Sequence, residues 1–266
     1  MGVSRSGYYY YKKHKNDRLN KERDLSLLIK RLFKKSRSTY GNRRIKKALE
    51  YKNIKVGRKK IGRIMKENDL IPVTAKKYKA TTNSKHNLPI HPNLIKEQKI
   101  EKINQAWVSD ITYVKTGEGW LYLASIKDLY SKDIVGYAMS ERINKELVIS
   151  ALNYARLKHN PNPGIILHSD RGVQYASKAY QKLLKDNKMI CSMSAKGNPY
   201  ENATAESFNA TIKKELIYPR EIYETREEAR REIFEYIELF YNKERLHSSI
   251  SYLTPNNFRT LQLQLA

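Results

Sequence analysis

Apolar residues recur at helical spacing through the N-terminal stretch. Leu25, Leu28, Ile29 and Leu32 stand at i, i+3, i+4 and i+7 with Lys and Arg between them, so residues 1–36 read as an opening turn followed by a helix. Gly41 interrupts the pattern, and Ile45, Ala48 and Leu49 then mark a short helix. Asn53 signals a turn, and Val56-Gly57-Arg58 opens another short helix whose apolar face is Ile61, Ile64 and Met65. Residues 71–104 carry Pro72, Pro89 and Pro92 among Thr, Asn, Ser and Lys, which is linker composition. From Trp107 the period changes. Trp107–Val114 and Trp120–Ile126 predict two strands joined at Thr116-Gly117-Glu118-Gly119, and Asp133–Ser140 a third. Lys145–Lys158 predicts a helix with Leu147, Val148, Ala151, Leu152 and Ala155 on one stripe. A strand at Ile165–Leu167, a helix at Ser177–Asp186, a strand at Lys188–Met193 and helices at Ala203–Leu216 and Arg226–Tyr241 complete the series. This β-β-β-α-β-α-β-α order predicts an α/β layer with a mixed sheet over residues 105–266, preceded by a small all-α region over 1–70.

Charge separates the two regions. The chain's net charge is +25. Residues 1–90 hold 27 Lys and Arg against 6 Asp and Glu, a net of +21, which leaves +4 for the remainder. A basic third ahead of a nearly balanced domain is what binding to a phosphate backbone requires, because each neutralised phosphate releases counterions. The two short helices over residues 37–70 suggest a helix-turn-helix whose second helix would enter a major groove. Arg43, Arg44, Lys46 and Lys47 on the first, and Lys59, Lys60 and Arg63 on the second, are its candidate DNA contacts. The single cysteine, Cys191, excludes an internal disulfide and any multi-cysteine zinc site. No apolar run is long enough for a membrane span, the N-terminus lacks a secretory signal, and a cytoplasmic location is expected.

Three carboxylates stand out by position. Asp110 interrupts the first apolar strand, where an uncompensated charge is costly. Asp170 directly follows the short strand ending at Leu167, and Glu206 falls in the first turns of a helix. A strand interior, a strand end and a helix face can converge in an α/β layer, which places its ligands at sheet ends. Three carboxylates there suit hard divalent cations such as Mg²⁺. Paired ions of that kind promote in-line displacement at phosphorus.

Between Asp170 and Glu206 lie 35 residues. With that spacing, the chain resembles insertion-sequence transposases with a retroviral-integrase-like core, whose acids are arranged as Asp, Asp, thirty-five residues, Glu. Trp107–Tyr113 resembles the segment around the first acid, and Gly119–Ala124 with Asp128–Ser131 the following hairpin strand. His168–Tyr175 resembles the second-acid segment; Ser192–Ser194, Asn202-Ala203 and Glu206–Phe208 resemble the approach to the third. Tyr241-Asn242, Arg245–Ser248 and Thr254-Pro255 are similar to the C-terminal signature. The nearest group is the type encoded in the second of two overlapping reading frames.

The resemblance implies a ribonuclease-H-like five-stranded mixed sheet, two Mg²⁺ or Mn²⁺ ions on Asp110, Asp170 and Glu206, and DNA cleavage followed by strand transfer. It implies Lys213, seven positions after Glu206, as a DNA-phosphate contact beside the metals. Helix geometry separates that face from an apolar stripe of Phe208, Ile212 and Leu216. His168 and Gln174 flank Asp170 and, with Asn202, are candidate supporting residues; for His168 two readings stand equal, a hydrogen bond to Asp170 or to a metal-bound water, and packing alone. The chain departs from the family pattern at Glu201 and at Asn209-Ala210. Implied partners are transposon-end and target DNA, a homo-oligomer on DNA, and an upstream-frame product joined by frameshift fusion, in bacteria and at the nucleoid. Two alternatives stand beside this reading: an inactive DNA-binding regulator of transposition, and a ribonuclease-H-like nuclease.

Overall fold

A computed structural model of the chain describes residues 2, 4–73, 91–96, 98–194, 208–220 and 222–265. It divides into two compact units, Met1–Val73 and Thr74–Ala266.

The first unit is all helical. Helix α1 spans Arg5–Lys35, so the expected opening turn is already helix; Ser4 caps it, its hydroxyl accepting from Gly7 N at 3.1 Å. Helices α2, Asn42–Glu50, and α3, Arg58–Glu67, follow. Ile29 and Phe33 of α1, Ile45 and Leu49 of α2, and Ile61, Ile64 and Met65 of α3 are the buried apolar helix positions; periodicity predicts all of them but Phe33, while the predicted Leu25, Leu28, Leu32 and Ala48 are only partly buried. Burying each such side chain contributes about 1.5–3 kcal/mol, enough together to hold three helices that singly would be marginal in water.

The second unit is built on one five-stranded sheet: β1 Ala106–Thr116, β2 Gly119–Asp128, β3 Ile134–Ser140, β4 Ile166–Ser169 and β5 Ile190–Met193, in spatial order β3-β2-β1-β4-β5. β1, β2 and β3 pair antiparallel, and β4 and β5 run parallel to β1. The β1–β2 hairpin turns tightly because Gly119 takes φ +105°, a conformation open to glycine.

Helices α4, Lys145–His159, and α5, Lys178–Asp186, cover one sheet face. Asn144 and Ser177 cap their N-termini. The predicted α4 stripe is buried there against Trp107, Ala124, Ile126 and Val135. A side chain at Gly136 of β3 would stand 2.5 Å from Ala155 Cβ and 2.6 Å from the Ala151 carbonyl, so glycine sets how closely α4 approaches.

The opposite face carries Ala106, Val108 and Ile166, with Leu94, Ile95 and Ile100 packed on them. Those three lie in the stretch whose composition reads as linker. Within the described residues 91–96 and 98–104, these three side chains instead dock on the sheet, and Leu94 N donates to Ser192 Oγ at 2.9 Å. A helical run over 208–220, here α6, buries Phe208, Ile212 and Leu216 as expected. Its middle turn, Lys213–Ile217, is π-helical, with Tyr218 N donating five residues back to the Lys213 carbonyl. Helix α7, Arg226–Phe234, continues as a second π-helical segment, Glu235–Tyr241. Phe208 and Tyr241 lock the two runs edge to face, ring centroids 4.9 Å apart. Helix α8, Pro255–Gln264, closes the chain.

Between α6 and α7 lies a buried polar network. Arg245 makes a bidentate pair with Glu215, Nε to Oε2 at 2.9 Å and Nη2 to Oε1 at 2.6 Å, and the Tyr236 hydroxyl donates to the same carboxylate at 2.7 Å. Arg245 also reaches His247 Nε2 at 3.0 Å, a structural place for that histidine.

Candidate functional site

The parallel pairing of β1 with β4 builds the site. Its register matches Ala106 with Ile166, Trp107 with Leu167 and Val108 with His168. Two residues further along, the same offset brings Asp110 beside Asp170, just past the end of β4. Asp110 belongs to the face that α6 covers.

Asp110 is partly buried and well held. Its Oδ1 accepts from Ile111 N at 2.8 Å and its Oδ2 from Asn209 Nδ2 at 2.7 Å. Burial, then the charge of Asp170, push its pKa from the ordinary 3.8 up to about 6, against the lowering pull of Asn209, Ile111 and Lys213. Asp170 Oδ1 accepts from Gly172 N at 2.9 Å. A side chain on Gly172 would stand 3.0 Å from that Oδ1 and 2.9 Å from Gln174 Oε1, which places Gln174 around the second acid and explains the glycine.

His168 is fully buried, and its Nδ1 lies 2.8 Å from Ser192 Oγ, the hydroxyl that also receives Leu94 N. It thus ties β4 to β5 and to the segment before β1. Lys213 opens the π-helical turn of α6, partly exposed and within electrostatic reach of Asp110. Asn202 and Glu206 lie outside the described residues. Among the described residues no group of three or more His, Cys, Asp and Glu gathers around a point. What the structure brings together is a two-carboxylate oxygen site with a lysine and an amide beside it. Neighbouring carboxylates, one of them pushed up by burial and then by the other's charge, are a donor set of the kind a hard divalent cation satisfies.

Asn209 is the functional residue that sequence reasoning missed. It is buried, donates to Asp110, and accepts from Ser125 Oγ of β2 at 3.3 Å. The visible signal was the departure from the family pattern at that position. Cys191 Sγ accepts from Gln181 Nε2 at 3.3 Å, and burial pushes its thiol pKa up.

In the first unit, Lys59 and Lys60 are exposed at the start of α3. Arg63 is engaged within the unit: it pairs with Glu22 of α1 and, at 3.3 Å, with Glu67. Lys46 and Lys47 both pair with Glu50, and the Arg44 guanidinium lies 5.5 Å from the centroid of the Tyr40 ring. Arg43 is exposed. Among the described residues no helix is long and apolar enough to cross a membrane.

A mixed sheet in this order, with an acid inside its central strand and another past the neighbouring parallel strand, defines an integrase-type, ribonuclease-H-like core. Comparison with known proteins agrees: an integrase core domain matches residues 101–199, a second integrase core domain matches 187–255, and an HTH-like domain matches 20–78. The "Insertion element IS600 uncharacterized 31 kDa protein" of Shigella sonnei is 45% identical, over 100% of this chain and 98% of its own length. The "Transposase for insertion sequence element IS904" of Lactococcus lactis is 42% identical, over 88% of this chain and 92% of its own length. Among solved structures, a chain of the simian T-cell lymphotropic virus intasome in complex with a PP2A regulatory subunit shares the fold at TM-score 0.50 and 15% identity, over 80% of this chain and 70% of that one. The chain belongs to the family of insertion-sequence transposases with an integrase core, of the second-reading-frame type.

Proposed function

We propose that the chain cuts DNA at the ends of an insertion sequence and joins those ends to target DNA, using Asp110, Asp170 and Glu206. The observation that supports this most directly is the β1–β4 register, which sets Asp110 beside Asp170; burial, then that neighbouring charge, raise the Asp110 pKa to about 6. Two carboxylates so placed repel each other until a cation joins them. The three acids would hold a pair of Mg²⁺ or Mn²⁺ ions, which supply activation of the attacking oxygen and stabilisation of the leaving one.

The chain's own residues do the rest. Asn209 fixes the Asp110 carboxylate between its amide and the Ile111 N–H, so its oxygens keep one orientation. Lys213 presents a cation beside Asp110, where it pairs with a phosphate of the bound strand. Gln174 and Gly172 frame Asp170, and His168 braces β4 from behind. In the first unit, α3 enters a major groove, with Lys59 and Lys60 on the phosphates and the cations of α2 beside them. Contacts of this kind position DNA without specifying its sequence. End-specific transposition therefore uses a fusion to the upstream-frame product and a homo-oligomer on DNA.

Labelled DNA ends incubated with the chain and Mn²⁺ test this. Joined products support a transposase; nicks alone would make it a nuclease, and shifted but uncut DNA a regulator. Asp110→Asn, Asp170→Asn and Glu206→Gln should each abolish joining while leaving DNA binding unchanged. Near-normal joining by any one of them refutes the assignment.

A further inference from the structure

The β1–β2 hairpin extends past the acids as an aromatic strip. Tyr113 of β1 faces Tyr122 of β2 across the ladder, and Lys115 faces Trp120. The Tyr113 ring packs edge to face on both partners, centroids 5.1 Å from Tyr122 and 6.1 Å from Trp120. These positions continue the sheet face that α4 and α5 cover further down, yet here the rings are open: Trp120 is 48% exposed and Tyr113 37%. Exposed tryptophan in a strand needs a reason, since burial of such a ring is the ordinary outcome.

Position supplies it. β4 ends at Ser169 while β1 runs on to Thr116, so beyond Asp110 the edge of β1 no longer has β4 beside it. Asp110 points to the other face of β1, so a strand held at Asp110 and Asp170 would pass through this notch, over the open edge of β1, to reach the hairpin's aromatic face. Tyr113 lies three residues beyond Asp110, about 10 Å at ~3.3 Å per residue, and Lys115 with its partner Trp120 lies about 17 Å away. At ~3.4 Å per nucleotide those distances span roughly three to five nucleotides from the reacting phosphate. The strip and the acid pair are also one electrostatic neighbourhood. The Tyr113 hydroxyl is held above its usual pKa by burial, then by Tyr122, Asp170 and Asp110.

Resting on the active-site reading above, we propose that Tyr113, Trp120 and Tyr122 form a stacking platform for unpaired bases of the DNA strand that leaves the acid site. Aromatic faces with a cation at the edge, here Lys115, are the means by which proteins hold single strands without reading sequence. Edge-to-face packing keeps the three rings rigid without stacking them on one another, so ring surface remains for bases. A protein partner has no comparable reason to sit where a nucleic-acid strand must pass. The consequence is that the chain holds its DNA end frayed, with its terminal bases drawn off the duplex.

Tryptophan fluorescence of the full chain reads this directly. There are two tryptophans, and Trp107 is fully buried, so quenching by acrylamide reports Trp120. With chelator present to keep the DNA uncut, a duplex bearing a short unpaired thymine tail should shield Trp120. A blunt duplex, and the same tail made abasic, should not. Trp120→Ala should erase the signal and weaken binding of the tailed duplex roughly 5- to 100-fold, the range for losing one base–aromatic stack. Trp120→Phe should restore most of the affinity, which a merely folding-related role would not need. Equal shielding by the abasic tail or the blunt duplex, or unchanged affinity in Trp120→Ala, overturns the platform. The joining assay separates the two readings: a chain that joins DNA but shows no base-dependent shielding refutes the platform alone. Base-dependent shielding in a chain that never cuts refutes the active-site reading alone.

Discussion

Replacing Asp110 by asparagine should make the protein more stable and inactive at once. In the folded chain, burial and the charge of Asp170 raise the Asp110 pKa from the ordinary 3.8 to about 6. The folded state therefore binds the proton more tightly than the unfolded one. Stability is retained below about pH 3.8, falls as the pH rises from there to about 6, and stays reduced above it. At about 1.4 kcal/mol per pH unit across that window, ionised Asp110 costs the fold at most about 3 kcal/mol at neutral pH. The amide that Asp110→Asn introduces carries no charge; its one oxygen keeps the bond from Asn209 or the bond from Ile111 N but not both, which offsets part of the gain. Melting of Asp110→Asn in chelator should thus exceed that of the unaltered chain at about pH 7.5. For a unit of this size the gain is roughly 6–12 °C at its upper limit. The difference should shrink steadily as the pH falls toward about 4. Calorimetric scans at a series of pH values measure it. A variant that melts lower at about pH 7.5, or a gap that stays constant down to about pH 3.5, would refute the argument that Asp110 is a strained, repelled carboxylate.

Other expectations follow from the same structure. Gly172→Ala should leave the circular dichroism unchanged but slow joining roughly 10²-fold, because the added methyl meets Asp170 Oδ1 at 3.0 Å and shifts the acid; an unaffected rate would show that Asp170 tolerates displacement. Arg245→Ala strands Glu215 in the interior and should destabilise the second unit by about 3–5 kcal/mol in a urea titration, whereas Arg245→Met combined with Glu215→Leu should recover most of the loss. Lys59→Ala and Lys60→Ala should each lower the slope of log affinity against log salt by roughly 0.9 without changing melting, and a slope that does not move would take α3 off the DNA backbone. Arg63→Ala should lower the melting temperature as well, since it loses Glu22 and Glu67.

Apolar periodicity made most of the fold readable. Ile61, Ile64 and Met65, the α4 stripe, and the set Phe208, Ile212 and Leu216 all lie where spacing put them, because each stripe answers to one buried face. Asp110 and Asp170 were readable as charges in or beside apolar strands. What was illegible depends on partners distant in sequence. The Arg245–Glu215 pair joins residues 30 positions apart, and nothing local announces it. Asn209 reads as an ordinary helix residue until burial sets it against Asp110. The π-helical turns depend on how α6 and α7 seat on the sheet, which composition does not encode. Helix α8 was legible and overlooked: Thr254 followed by Pro255 is a cap and a first-turn proline. Pro92 and its neighbours read as linker because composition hides the few apolar residues, Leu94, Ile95 and Ile100, that dock.

The pairing of β1 with β4 also decides where this chain can tolerate a change of length. The chain travels through β2, β3 and α4 between the two acids, yet none of those elements sets their separation. Three backbone pairs do, from Ala106 with Ile166 to Val108 with His168. Residues added to the connections at 141–144 or 160–164 would bulge outward and leave both carboxylates where they are. One residue added within Ile166–Ser169 would turn Asp170 to the opposite side of the sheet. Insertions and deletions among relatives should therefore cluster in those two connections and be missing from β4, so that the count of residues from first acid to second drifts through evolution while the distance in space does not.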